Sequence, residues 1–421
     1  MNRGRRICIV GSGNLAWNPR LLKEAEALHE AGYDVTTVAC DYTKELKDLD
    51  DEVAARVPWK VVRVPRPADE RGIAIVAGWL ARLVAATGAA VSPGLAARAC
   101  GGPISSLRRA ASAVSADLYI AHYTASLAAV APVARRRGVL LGFDAEDFHS
   151  GEGAGGADDD FRMKMVATME RGILPSCAYV TAAAPLISRA YAARYGVTPV
   201  TLLNVFPLDM APAAPTADPA PGAPAQLRAY WFSQTIGLDR GLQAFIQAMA
   251  RTKCHVMLDI RGGNKRGDGD RLVELARALG IAGRVAILPP APPDSMVTLA
   301  AEYDVGLSLE TDVNENRGIC LTNKTFTYLL AGIPTVMSDT PAQRAFAPDL
   351  GAAAVLVSLS DAAAIAAVLD RLAGSPADLA EAKRTAWRLG RDRYNWDVEK
   401  EVLMKTVDLA FASRGAADSV P

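Results

Sequence analysis

Short apolar runs recur along the chain, separated by segments long enough for a helix. In the first half they are Ile7–Val10, Val35–Ala39, Val61–Val64, Leu118–Ala121, Val139–Phe143, Ala178–Ala182 and Val200–Leu203. Continuous rather than alternating apolar runs fit strands buried on both faces, and the segments between them fit crossover helices, so a parallel sheet built from βαβ units is predicted. The rhythm stops at 211–226, APAAPTADPAPGAPAQ, where five prolines rule out a helix interior or a sheet centre and predict an exposed connector. It then restarts with strands at Arg228–Phe232, Val256–Ile260, Val285–Leu288, Val305–Leu309, Thr335–Met337 and Ala353–Val357. Helices are expected from about Gly241, over Asp270–Gly280, near Asp294–Tyr303 and near Asn323–Ala331.

The expected architecture is therefore α/β, with two Rossmann-like, doubly wound domains facing a cleft. The first covers 1–210 and the second 227–394, and a C-terminal segment from about 395 to 421 returns to the first domain. Sheets of this kind bind ligands outside the carboxyl ends of their strands.

The first run leads into IVGSGNLAWNPR, residues 9–20, in which Gly11, Gly13 and Ala16 satisfy G-x-G-x-x-G/A, and the second run ends at the acidic Asp41. A dinucleotide fingerprint needs its helix to open among the glycines, so that the first amides meet a pyrophosphate. Here Asn18-Pro19 is the better helix start, with Asn as cap and Pro at the first turn, and Ser12 to Trp17 are left as an extended loop. NAD or flavin binding is the weaker reading of this loop.

Composition narrows the class further. The 421 residues carry 46 basic and 46 acidic side chains, so net charge gives no reason to expect nucleic acid. The six cysteines lack metal-ligand spacing, which fits buried thiols in a reducing cytoplasm. Arg3, Arg5 and Arg6 precede an apolar run that the glycines cut too short for a signal peptide. Ile73 to Val91 approaches a membrane segment, but Arg82, Gly78 and Gly88 interrupt it, so a helix within the domain is expected. Arginines from Arg63 to Arg109 make this region basic, compatible with peripheral contact with the cytoplasmic face of a membrane.

Candidate chemistry concentrates in the second domain. NKTFTYLLAGIPTV, 323–336, gives a polar helix start with Lys324, a stop at Gly332, then Pro334 and a strand. Amide donors and a lysine at a helix N-terminus suit a diphosphate, although an ordinary capped helix would read the same.

This segment resembles the nucleotide-sugar signature of retaining GT-B glycosyltransferases of the group-1, or family-four, type. Similar matches are Leu258–Gly263 to that family's strand and glycine turn, Arg284 to Pro293 to the loop around the base, Asp239–Leu242 to its helix start, and Leu203-Asn204-Val205 to its asparagine motif. The resemblance implies sugar transfer from a nucleotide-diphosphate sugar to a glycan, lipid-linked or small-molecule acceptor, with no cofactor and no metal. It implies donor binding by Arg240, Arg261, Gly262, Glu310, Arg317, Gly318, Asn323, Lys324 and Thr327. It places the glycine loop, with Gly11, Gly13, Asn14, Trp17 and Arg20, on the acceptor side and His122 in a catalytic role, while the residues after a strand add Asp144 as a catalytic candidate and Asp147 and His149 as acceptor contacts.

The family's paired glutamates would fall on Ile319 and Thr327, so both are missing, and Glu310, Glu315, Asn316 and Arg317 are the candidates to replace them. Thr235 stands where the family often has arginine. The acidic stretch Asp144, Glu146, Asp147 is equally compatible with acceptor activation and with a solvated loop, and Asp158–Asp160 beside glycines fits a flexible loop. A nucleotide-sugar-binding protein without activity is the competing class, and an NAD-linked two-domain enzyme the third.

Overall fold

The computed structural model describes residues 4–65, 70–215 and 226–417. The chain divides into two compact units, Met1–Leu202 with Asn314–Asn316 and Lys400–Pro421, and Leu203–Val313 with Arg317–Glu399. Residues 216–225 of the expected connector lie outside the described residues.

The first unit holds a seven-stranded sheet of β1 (Arg6–Gly11), β2 (Asp34–Asp41), β3 (Lys60–Pro65), β4 (Leu118–His122), β5 (Leu140–Glu146), β6 (Tyr179–Ala182) and β7 (Val200–Thr201). The spatial order is β3-β2-β1-β4-β5-β6-β7. All pairs are parallel. The chain winds outward in both directions from β1 and β4, so the switch point lies between them, where Gly11 pairs with His122. The runs of β1, β2 and β4 are buried, as strands covered on both faces require, and those of the edge strands β3 and β7 are only partly buried.

Asn18 caps the helix Pro19–Glu30 by accepting from the Leu21 amide, with Pro19 at its first position. The preceding loop is not wholly extended: Leu15–Trp17 form one 3-10 turn. Near the C-terminus, the helix Trp396–Ala417 carries residues into the first unit. There Tyr33 donates to Asp408 at 2.8 Å and stacks on Phe411.

The second unit holds β8 (Gln226–Thr235), β9 (His255–Gly263), β10 (Val285–Leu288), β11 (Val305–Ser308), β12 (Thr335–Ser338) and β13 (Ala354–Val357) in the order β10-β9-β8-β11-β12-β13. All pairs are again parallel, and the switch point falls between β8 and β11.

The helix Asn323–Ala331 is buried from Lys324 to Ala331 and ends at Gly332, whose φ of 76° suits glycine. Two close approaches fix this helix. The Tyr328 ring lies over Gly306 of β11, where a Cβ would come within 2.2 Å of the ring, and a Cβ on Gly390 would lie 2.5 Å from the Leu329 carbonyl.

Candidate functional site

In the second unit the loops leaving β8 and β11 meet at the switch point. Thr311 donates through Oγ1 to the Asp239 carbonyl at 2.9 Å. A Cβ on Gly241 would fall 2.9 Å from that of Leu309, so glycine there lets the two loops close. Next to this junction the buried Glu310 carboxylate binds Lys324 Nζ at 2.7 Å and Arg317 Nη1 at 3.2 Å. Arg240 is three-quarters buried, and among the described residues its one ionic neighbour is Asp239, at 3.6 Å, and its Nε lacks a hydrogen-bond partner.

Two cations thus share one buried carboxylate at the start of the Asn323–Ala331 helix, and Thr311 ties their loop to the one that carries Asp239 and Arg240. The helix dipole adds to that positive excess, which suits a diphosphate. The sequence names these residues but not their pairing, and the approach of the Arg240 loop depends on β8 and β11 being neighbours.

Other expected donor contacts take structural roles. Thr327, expected at the ribose, is buried and its Oγ1 donates to the Asn323 carbonyl at 2.9 Å, a back-bond within the helix. Arg261 donates to the Tyr230 hydroxyl and to the Pro289 carbonyl, both at 2.9 Å, and so ties the end of β9 to the loop after β10. At Gly262 a Cβ would lie 2.5 Å from the Ser233 carbonyl, so this glycine serves the approach of β8 to β9. Gly318 lies in the helix Glu315–Ile319, and Asn323 opens the helix that carries Lys324.

The first unit brings a second set of ionisable groups to the carboxyl edge of its sheet. Arg20 donates through Nε and Nη2 to Asp144 at 2.5 and 2.8 Å, and both side chains are fully buried. Thr181 adds a bond to Asp144 at 2.7 Å. His122 lies between Glu24, 3.2 Å from Nε2, and Asp144, 3.3 Å from Nδ1.

Burial alone would favour the acid form of Asp144, but Arg20 outweighs it and holds the carboxyl well below its usual range. Burial also opposes the imidazolium of His122, and Glu24 with Asp144 overcomes that and raises its pKa. Arg20 and Asp144, expected in acceptor binding and catalysis, are buried and neutralise each other in this structure. His122 likewise is closed off between carboxylates. Glu24, His122 and Asp144 could present one ligand atom each within 4.8 Å. The guanidinium of Arg20, 3.7 Å from Glu24, already stands among them as the cation.

The glycine loop is also pinned from inside. Asn14, expected at the acceptor, donates to Asp50 at 2.7 Å and to the Thr43 carbonyl, and accepts from the Thr43 amide at 2.7 Å, which anchors the loop. Gly11 is small because a Cβ would meet Leu21 at 2.8 Å, whereas a Cβ on Gly13 meets nothing within 4 Å. Trp17 is 54% exposed. Asp147 accepts from Asn316 Nδ2 at 3.0 Å. His149 binds Glu152 at 3.0 Å, a bond that overcomes burial and raises the imidazole pKa to about 9.

Residue-type reasoning passed over Tyr123 and named Glu146 only as part of the acidic stretch that could activate an acceptor. Both have left-handed backbones, φ 67° and 57°, Tyr123 directly after His122 of β4 and Glu146 as the last residue of β5. Non-glycine residues in this conformation are uncommon and gather where geometry serves a site. Both side chains are half-buried, and burial, with Asp147 and Asp144, raises the Glu146 pKa against the pull of Arg20. Nearby Lys23 is pushed down to about 7 by burial and then by Arg20. No sequence signal marks left-handed backbone at a Tyr or Glu.

Together, the two sheets and their order define the fold of GT-B glycosyltransferases. No family model matches the chain, and no curated protein matches it in sequence. Among solved structures it is similar to Anabaena Alr3699/HepE in complex with UDP-glucose, at 13% identity over 96% of this chain and 99% of that one, with a TM-score of 0.67. Sucrose-phosphate synthase from Thermosynechococcus elongatus is 14% identical over 97% and 100% of the two chains, with a TM-score of 0.67. S. aureus TarM, in complex with fondaparinux, alpha-GlcNAc-glycerol and UDP, is 9% identical over 96% and 99%, with a TM-score of 0.64.

Proposed function

We propose that this protein transfers a sugar from a nucleotide-diphosphate sugar to a glycan, lipid-linked or small-molecule acceptor, with retention at the anomeric carbon. It works in the cytoplasm, with peripheral contact with the cytoplasmic membrane face. The observation that carries this reading is Arg317 and Lys324 on the buried Glu310 at a helix start, with Arg240 beside Asp239 on the loop tied to it. Negative charge builds on a departing nucleoside diphosphate as the glycosidic bond breaks, and fixed cations with helix amides stabilise it without rearranging. In this reading the cations do the work of a metal, so chelation leaves nucleotide binding unchanged. Tyr123, Glu146, Asp147 and His149, with Gly13 and Trp17, form the acceptor side.

A thermal-shift series against UDP, GDP, dTDP, ADP and NAD tests it. One nucleoside diphosphate at about a hundred times its Kd adds roughly 2.7 kcal/mol of apparent stability. That increment should vanish in Arg240→Ala and Lys324→Ala, each compared with its own unliganded midpoint. A response to NAD alone returns the glycine loop to a dinucleotide role. Binding without turnover in a sugar-transfer assay supports the inactive-binder class instead, and NMR of the product's anomeric proton decides retention.

A further inference from the structure

The helix Glu70–Ala86 turns an apolar face to solvent. Ile73, Ile75, Val76, Trp79, Leu80 and Leu83 are 42 to 68% exposed, and they make up six of the thirteen large hydrophobic side chains exposed among the described residues. At about 100° per residue all six fall within an arc of roughly 160°, opposite the buried Ala77 and Ala81. Scattered apolar residues on a surface need no explanation, but a contiguous uncharged face does.

The surroundings say what covers it. Residues 71–116 contain five arginines, Arg71, Arg82, Arg98, Arg108 and Arg109, and no aspartate or glutamate, in a chain whose total charges cancel. Arg71, Arg82, Arg98 and Arg109 are exposed, and Arg82 also meets Asp158 at 2.7 Å and covers the Phe161 ring. Among the described residues no helix is long and apolar enough to cross a membrane, so this one would lie along a surface.

We infer that this helix seats its Ile73–Leu83 face in the outer part of an anionic lipid leaflet, with the arginines of the region reaching the headgroups. An apolar face of this kind gains from acyl-chain burial while basic side chains snorkel toward phosphate. A second copy of the chain is the poorer occupant, because pairing this face with itself would bring arginines of one sign together. The inference rests on the membrane part of the proposed function and is independent of its chemistry.

Co-sedimentation of the intact protein with phosphatidylcholine vesicles, with and without phosphatidylglycerol, tests it. Binding should require phosphatidylglycerol, weaken with salt, and fall roughly tenfold or more in Trp79→Asp combined with Leu83→Asp. Arg71→Glu with Arg98→Glu should weaken it too. Retention of the wild-type thermal midpoint and nucleotide response in these variants shows that only the surface changed, so failure here is separable from failure of the transferase reading. The inference is overturned by an absence of binding at low salt, by equal binding to neutral vesicles, or by binding that the Asp variants leave intact. It is also overturned if light scattering shows a dimer that the Asp variants convert to monomer.

Discussion

Replacing Arg20 by methionine removes the guanidinium and keeps most of the apolar stem. Asp144 then loses bonds of 2.5 and 2.8 Å and keeps only the Thr181 hydroxyl and the His122 ring. Both partners are shut off from solvent, so the remaining carboxylate must stay charged in a poor dielectric or take up a proton far above its native pKa. Breaking one half of a buried pair costs about 3–5 kcal/mol. For a unit of this size that is a midpoint lower by roughly 6–20 °C. Asp144→Asn combined with Arg20→Met should cost clearly less than the two single changes added, because the carboxylate left stranded by the first change is gone. Differential scanning calorimetry of the four proteins at pH 7 gives the coupling, with the transition of the first unit followed separately if the units unfold apart. The Arg20→Met defect should also shrink on acidification, as Asp144 protonates. A loss below about 1 kcal/mol, or strict additivity with Asp144→Asn, would refute the assignment of Arg20 and Asp144 to the core.

For His149 the folded-state pKa of about 9 lies above its ordinary 6.5, so folding favours the protonated ring. Its contribution, roughly 3 kcal/mol, is fully present below pH 6.5 and is lost as pH rises through 9. Urea midpoints measured from pH 6 to 10 should fall across that window, and His149→Gln should flatten the fall. Gly390→Ala must push the Asn323–Ala331 helix away from its neighbour, since the new methyl would lie 2.5 Å from the Leu329 carbonyl. A stability loss of about 1–3 kcal/mol, with weakened nucleotide response through displaced Lys324, is expected from calorimetry and thermal shift. Glu146→Asn suits the left-handed backbone better than glutamate, so stability should hold or rise by about 1 kcal/mol while sugar transfer to the acceptor falls. Unchanged transfer in that variant would remove Glu146 from the acceptor side.

Much of the fold was legible from local signals. Each expected strand overlaps an observed one, because strands covered on both faces leave continuous apolar runs. The Asn18-Pro19 start and the Gly332 stop are likewise written in residues that favour those backbone conformations on their own. The site was only partly legible. Glu310 and Lys324 could be named as candidates, but their pairing depends on how the β11 loop meets the following helix. The direction of Thr327 was not legible, because its helix is buried on every side and leaves no polar stripe from which to read it.

What the sequence by itself determined, then, is where the chain is straight, where it coils and where it turns, since those choices are made by neighbours within a few residues. Only the tertiary structure decided which charges stay available. Arg20 and Asp144 stand 124 residues apart, and they meet because β1, β4 and β5 lie side by side, which brings the helix after β1 over the end of β5. Charge interacts across space whatever the length of chain between, so sheet order determined which ionisable groups became core and which remained for a ligand.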